Sequence, residues 1–252
     1  MIIAPHRDDL NQIVILNPKG GCGKTTLATN LASRFALRGS RPMLIDNDPN
    51  GYTSRWLEKR PQEARTIYGI ASGKLAPYSR HAQPLRIPNE IDTVIIDTPA
   101  AIGLQDISEL TYNADCILVP ILPSAFDTHF ATNFVAELLL LTQFERPIAV
   151  VANRTRQNTK SLAMLMRTLA GFETPTIAVL RNSQNYVYAA DKGLGIYEMP
   201  YPRVKKDVEQ MGRIVNWLDR QLMRTWEPGL ISPVAFQPKP FTSPAAGFSL
   251  SD

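Results

Sequence analysis

Along the 252-residue chain, short runs of apolar, β-rich residues alternate with stretches whose apolar positions recur every three or four residues. The runs Gln12–Asn17 (QIVILN), Arg41–Asp46 (RPMLID), Asp92–Asp97 (DTVIID), Asp115–Leu122 (DCILVPIL), Arg146–Asn153 (RPIAVVAN) and Thr174–Leu180 (TPTIAVL) predict strands. Strands so uniformly apolar are covered on both faces, the mark of a parallel sheet with crossover helices. Between the first two runs, Leu27, Leu31 and Phe35, with Ala28 and Ala32 beside them, form a small-residue helix face that Gly39 ends. Phe130–Leu141 and Ser161–Leu169 predict two further helices. The clearest is the last, where Val204, Val208, Met211, Val215, Leu218 and Leu222 keep helical spacing after Pro202. The expected fold is α/β, a single domain with a mostly parallel central sheet and helices on both faces. Beyond Trp226 the periodicity stops and prolines recur (Pro228, Pro233, Pro238, Pro240, Pro244), which predicts a disordered tail that could serve in docking. The expected organisation is an extension at 1–11, a domain at 12–226 and a proline-rich tail at 227–252.

Composition changes this picture little. A hydrophobic fraction of 44% with 20% charged residues is ordinary for a globular chain, and a formal charge of +4 is compatible with a polyanionic partner. Two cysteines, Cys22 and Cys116, and three histidines give neither a disulfide framework nor metal-ligand spacing. The acids of MIIAPHRDDLNQ stand where a secretory signal would be apolar, and no later run is apolar for 18 residues. A cytoplasmic protein without a membrane partner is expected.

The chemistry lies where strands end. NPKGGCGKTT (Asn17–Thr26) joins the first strand to the first helix, the context in which a glycine loop binds phosphate. Gly20, Gly21 and Gly23 let backbone N–H groups close around phosphate oxygens at a helix N-terminus. Lys24 would reach the β- and γ-phosphates, and the Thr25 hydroxyl would ligate Mg²⁺. The usual G-x-x-x-x-G-K-[ST] pattern fails at its first glycine, replaced by Pro18, and a second lysine, Lys19, stands beside it. A Mg²⁺–triphosphate site also needs a carboxylate, and Asp97 ends the apolar strand of DTVIIDTPA, with Thr98-Pro99 opening a loop suited to sensing a γ-phosphate. LIDNDPNG places Asp46 and Asp48 at the end of the second strand, where they could hold a water or contact the metal shell. Read alone, Asp-Pro and Asn-Gly are plain turn signals.

Taken together these segments resemble the ParA/MinD superfamily of ATPases. KGGCGKTT is similar to its deviant Walker-A loop K-G-G-x-G-K-[ST], LIDNDPNG to its D-x-D-P-Q-G segment, VIIDTPA to its metal-binding strand, and VLRNSQNYVYAADKGLGIYE to a later segment ending in a glycine turn. The resemblance runs from about Gln12 to Trp226. It implies a P-loop NTPase fold, ATP and Mg²⁺ as ligands, and ATP hydrolysis in a sandwich homodimer. Lys19 would reach across that dimer to the partner's phosphates, Asp48 would orient the attacking water, Asp97 would hold Mg²⁺ through water, and Asn153 would contact adenine. Gly20–Thr26, including Cys22 and Thr26, would line the nucleotide, with Cys22 a small side chain and no catalytic thiol. Asn50 departs from the family's usual glutamine.

Within that family the tail, with one lysine (Lys239), lacks the basic amphipathic helix of membrane-cycling members. Paired cysteines of the cluster-scaffold relatives are absent, and ANRTR cannot read guanine as N-K-x-D does. From Arg146 to Arg181 the chain carries six cations (Arg146, Arg154, Arg156, Lys160, Arg167, Arg181) against Glu173, 6 − 1 = +5, and the last helix is expected to add Lys205, Lys206, Arg213, Arg220 and Arg224 on its polar side. Such charge binds DNA backbone without reading sequence, although a solvated basic face is the plainer reading. No helix-turn-helix extension precedes Gln12. The expected protein is a short ParA-type positioning ATPase on nucleoid DNA, stimulated by a ParB- or McdB-like adaptor. Its cargo would be a plasmid, a chromosome locus or a protein body such as a carboxysome. The competing classes are a metabolic ATP-dependent enzyme of the synthetase type and a non-enzymatic nucleotide switch.

Overall fold

The computed structural model describes residues 1–71 and 86–222; the proline-rich stretch at 227–252 lies outside the described residues. The strands are β1 (Asn11–Ile15), β2 (Pro42–Asp46), β3 (Tyr68–Ala71), β4 (Thr93–Asp97), β5 (Cys116–Ile121), β6 (Ile148–Thr155) and β7 (Thr176–Arg181). They form one parallel sheet in the order β3-β2-β4-β1-β5-β6-β7. The helices are α1 (Lys24–Leu37), α2 (Tyr52–Glu58), α3 (Leu104–Tyr112), α4 (Ala125–Leu141), α5 (Lys160–Leu169), α6 (Gln184–Asp191) and α7 (Tyr201–Leu222).

Successive strand residues point to opposite faces, so a strand buried twice must be apolar at every position. From Ile13 to Leu16, after the polar Asn11 and Gln12 that open β1, the chain does this: Ile13 and Ile15 join a core with Leu27, Leu31, Trp56, Ala189, Met211 and Leu218 of α1, α2, α6 and α7. Val14 and Leu16 join the opposite core with Ile107, Phe134, Leu138 and Leu165 of α3, α4 and α5. Each fully buried Leu or Ile contributes about 1.5–3 kcal/mol of burial free energy. The N-terminal residues are drawn into the second core, where Ile2, Ala4 and Leu10 are buried, and the Asn47 side-chain amide accepts from the Ile2 N–H and donates to the Ile2 carbonyl.

Strand β3 and helices α2, α3 and α6 are elements that hydrophobic spacing alone did not foresee. β3 is a four-residue edge strand containing Gly69, too short and too broken to read as an apolar run. α2 follows directly on the turn signals: Gly51 takes a left-handed φ of 64° as its N-cap. α4 begins at Ala125, ahead of the expected Phe130, because Ser124 caps it by accepting from the Asp127 N–H. The late glycine turn is required by close packing. Gly193 has φ +65°, and a Cβ there would lie 2.5 Å from the carbonyl carbon of Lys59. This turn is fastened to the segment just after α2 and to α1 by Glu198, which pairs with the Arg60 side chain and accepts from Ser33 Oγ at 2.9 Å.

Register sets the site. β1 lies between β4 and β5, and Asp46 of β2 is the direct neighbour of Asp97 of β4, which in turn pairs with Ile15 of β1. Two carboxylates and the glycine loop therefore meet at the carboxyl edge of the sheet, where ligands bind in open α/β folds.

Candidate nucleotide site and basic face

The loop after β1 is shaped by two left-handed glycines, Gly21 (φ 76°) and Gly23 (φ 101°). Gly23 is also a steric requirement: a Cβ there would lie 2.2 Å from the Asn153 amide nitrogen. Asn153, buried two residues before the end of β6, donates to the Cys22 carbonyl at 2.8 Å and so braces the loop against the sheet. Asn17, which sequence reasoning passed over, does the same from the other side. Its amide donates to the Pro120 carbonyl at 2.7 Å while its Oδ1 accepts from the Lys19 N–H. α1 begins immediately at Lys24 with no side-chain cap, so its first N–H groups are directed at whatever the loop encloses.

The two lysines occupy different environments. Lys24 is buried and donates to the carbonyls of Asn17 (2.8 Å) and Lys19 (3.1 Å), a cation stored inside the loop on neutral oxygens. Lys19 is partly exposed, and its Nζ pairs with Asp127 in the first turn of α4, whose side chain is 8% exposed. Asp127 also accepts from the Ser124 hydroxyl. The Ser-x-x-Asp pattern at 124–127 could have marked this helix start, but nothing in the sequence joins Asp127 to Lys19. Burial raises the Cys22 thiol above its ordinary range; it donates to the Lys19 carbonyl at 3.3 Å, an inert packing thiol.

Asp97 is fully buried. Its Oδ2 accepts from the hydroxyls of Thr25 (2.7 Å) and Thr53 (2.6 Å), and its Oδ1 is buried with no hydrogen-bond partner. Burial pushes this carboxyl up to about 6, with Asp46 adding to the rise and the hydroxyls and Lys24 opposing it. A buried carboxylate oxygen left unpaired carries a solvation cost that a cation or its water would relieve. The donor set is hard oxygen, and among the described residues no three His, Cys, Asp or Glu cluster into a metal cage. That fits Mg²⁺, which keeps water and phosphate ligands and takes few from protein.

Asp46 is engaged within the chain. Its Oδ2 accepts from the N–H and hydroxyl of Ser54, both at 2.8 Å, and its Oδ1 from the Asp48 N–H. It thereby fixes the Asp48–Gly51 turn onto α2. Asp48 is half-buried, and one of its oxygens accepts from both nitrogens of Asn50 at 2.9 Å, so the residue standing where glutamine is usual folds back onto Asp48. Thr98 donates to the Ile15 carbonyl, and the Ala101 N–H donates to Pro18, which joins the loop after β4 to the glycine loop.

The expected DNA contacts are only partly gathered. Arg156, Arg181, Lys206 and Arg213 line one cavity of about 550 Å³ with Glu209. Arg181 is also held by Asp207 through two bonds of 2.6 and 2.8 Å. Burial alone would raise the Asp207 carboxyl, but hydrogen bonds from Arg181, Asn185 and Ser183 hold it below its ordinary range. Arg154 has a left-handed φ of 49° and is exposed. Lys160 opens α5, Arg167 lies in its last turn and Lys205 is exposed on α7; none of these lines the cavity.

Residues 13–196 match the family model described as the CobQ/CobB/MinD/ParA nucleotide binding domain. A curated relative, the maintenance of carboxysome distribution protein A of Halothiobacillus neapolitanus, is 27% identical over 212 residues, covering 81% of this chain and 94% of the relative. Among solved structures, apo McdA of Cyanothece superposes with a TM-score of 0.63 at 18% identity, covering 82% of this chain and 99% of that one. MinD of Pyrococcus horikoshii complexed with Mg-ADP gives 0.61 at 15% identity, covering 86% and 99%.

Proposed function

The chain belongs to the CobQ/CobB/MinD/ParA nucleotide-binding family and is an ATPase of the ParA/MinD kind, and from that premise we propose that it positions cargo by cycling on and off nucleoid DNA in the cytoplasm. The observation that carries the proposal is the division of labour between the two lysines. Lys24 is buried within its own loop, whereas Lys19 stands at the loop's mouth on a single carboxylate, Asp127. A cation so placed can leave Asp127 for the phosphates of a second protomer and neutralise charge that develops there during hydrolysis.

In this reading the N–H groups of Gly20–Thr26 and the Lys24 ammonium bind the ATP phosphates, with Asn153 on the adenine side of the loop. Thr25 and Asp97 would hold Mg²⁺, with Asp46 behind them, and the metal when bound supplies charge neutralisation at the β- and γ-phosphates. Asp48 orients the attacking water, and its bond to Asn50 sets which oxygen remains for that task. The cavity of Arg156, Lys206 and Arg213 receives phosphates of double-stranded DNA without regard to sequence, with Arg181 supporting it. Arg154, Lys160 and Lys205, which do not line the cavity, add further positive charge. No helix among the described residues is long and apolar enough to cross a membrane.

A relative matched over 81% of this chain and 94% of its own length is named for carboxysome distribution. That favours a protein body as cargo and a McdB-like adaptor as the stimulating partner. The test is sizing and gel shift of the purified chain with ATP. Dimerisation on ATP together with salt-sensitive binding to unrelated DNA supports the proposal; a monomer indifferent to DNA overturns it.

A further inference from the structure

The geometry points to Thr53 as the residue that positions the metal-binding carboxylate. Thr53 is the second residue of α2 and is fully buried. Its hydroxyl donates to Asp97 Oδ2 at 2.6 Å, on the same oxygen that Thr25 reaches from α1 at 2.7 Å. The inference rests on the reading of Asp97 as the Mg²⁺ carboxylate.

A carboxylate held by one hydroxyl can swing about that bond; held by two, from helices on separate connections, it is fixed in plane. Both donors fall on Oδ2, which leaves Oδ1 buried and unpartnered. The clamp thus keeps one oxygen in reserve and aimed, as a ligand or water acceptor must be. Thr25 is itself expected at the metal, so it cannot be the sole anchor of the group it works beside. Thr53 has no such second duty. The hydrogen bonds around metal-binding carboxylates tune affinity, and losing one commonly costs 10–100-fold.

Thr53 also ties two segments of the site. It follows the Asp48–Gly51 turn, whose other tether is the pair of bonds from Ser54 to Asp46. Adjacent residues of one helix turn therefore hold the paired carboxylates of β2 and β4, Ser54 on Asp46 and Thr53 on Asp97.

The experiment titrates Mg²⁺ into the full chain, stripped with chelator, and follows binding of a fluorescent ATP analogue. Thr53→Val is expected to raise the Mg²⁺ concentration for half-saturation about tenfold. Metal-free nucleotide affinity should stay within about twofold, and Thr53→Ser should restore the wild-type midpoint, since serine keeps the hydroxyl. A merely structural role would lower thermal stability without moving that midpoint. Thr53→Val with a wild-type midpoint overturns the inference. A wild-type protein whose nucleotide binding ignores Mg²⁺ overturns the metal reading and this inference with it. Should Thr53→Val fail to fold, Thr53→Ala removes the same hydroxyl without adding bulk and is read in the same way.

Discussion

Lys19 and Asp127 are ion-paired across the mouth of the nucleotide loop, the lysine partly exposed and the aspartate almost wholly enclosed. The pair holds the lysine within its own protomer. Lys19→Ala is expected to abolish ATP-dependent dimerisation in sizing experiments while changing mononucleotide affinity only a few-fold. Asp127→Ala releases the lysine, so dimer should form at lower ATP, by up to about fivefold given the modest worth of a half-exposed pair. Equal dimerisation of Lys19→Ala and wild type would refute the trans role.

Asp48 carries the prediction about turnover. Asp48→Ala should lower kcat by about 100-fold or more, the usual loss when a group acting on the attacking water is removed. The ATP-bound, DNA-bound dimer should persist in gel shifts. A variant that hydrolyses at the wild-type rate would make the chain's cycling depend on some other group.

Asp97 predicts a pH dependence. Its folded pKa of about 6 lies above the unfolded value, so between pH 4 and 6 the folded state binds more protons than the unfolded. Stability of the nucleotide-free protein from this group therefore falls as pH rises through that window, by about 3 kcal/mol in all. Asp97→Asn should flatten this part of the curve in denaturant titrations and be more stable than wild type at pH 8. A wild-type curve indistinguishable from that of Asp97→Asn would remove the basis for the argument.

The basic cavity predicts a salt dependence. Arg156→Ala and Lys206→Ala should each shallow the slope of log K against log salt by about 0.9 per lost phosphate contact on duplex DNA. Arg167→Ala, in the last turn of α5 and not among the residues that line the cavity, should leave the slope unchanged. If Arg167→Ala has the largest effect, DNA lies on another face.

Much of this arrangement was legible in the chain. The strands that carry the site are doubly buried, so their composition announces them, and a glycine loop between strand and helix has few other uses. What stayed hidden was of another kind. Asp127 meets Lys19, and Thr53 meets Asp97, only because the sheet brings distant segments to one edge. A lone aspartate or threonine carries no signal of its partner. α2 was obscured because the Asp-Pro and Asn-Gly turn signals are genuine as far as Gly51, and the helix starts on the next residue. The charge sum over Arg146–Arg181 could not separate a gathered cluster from one spread along α5, since net charge has no direction.

The alignment of Asp46 with Asp97 has an evolutionary corollary. Side chains alternate along a strand, so a one-residue insertion or deletion inside β2 or β4 would turn one of the two carboxylates to the opposite face, an insertion bringing Ile45 or Ile96 to the catalytic edge and a deletion Asn47 or Thr98. Sequence drift in this chain can therefore change length in the connections but not within these two strands. A library of one-residue deletions, scored for ATP turnover, should show dead stretches at Pro42–Asp46 and Thr93–Asp97 even in variants that still fold.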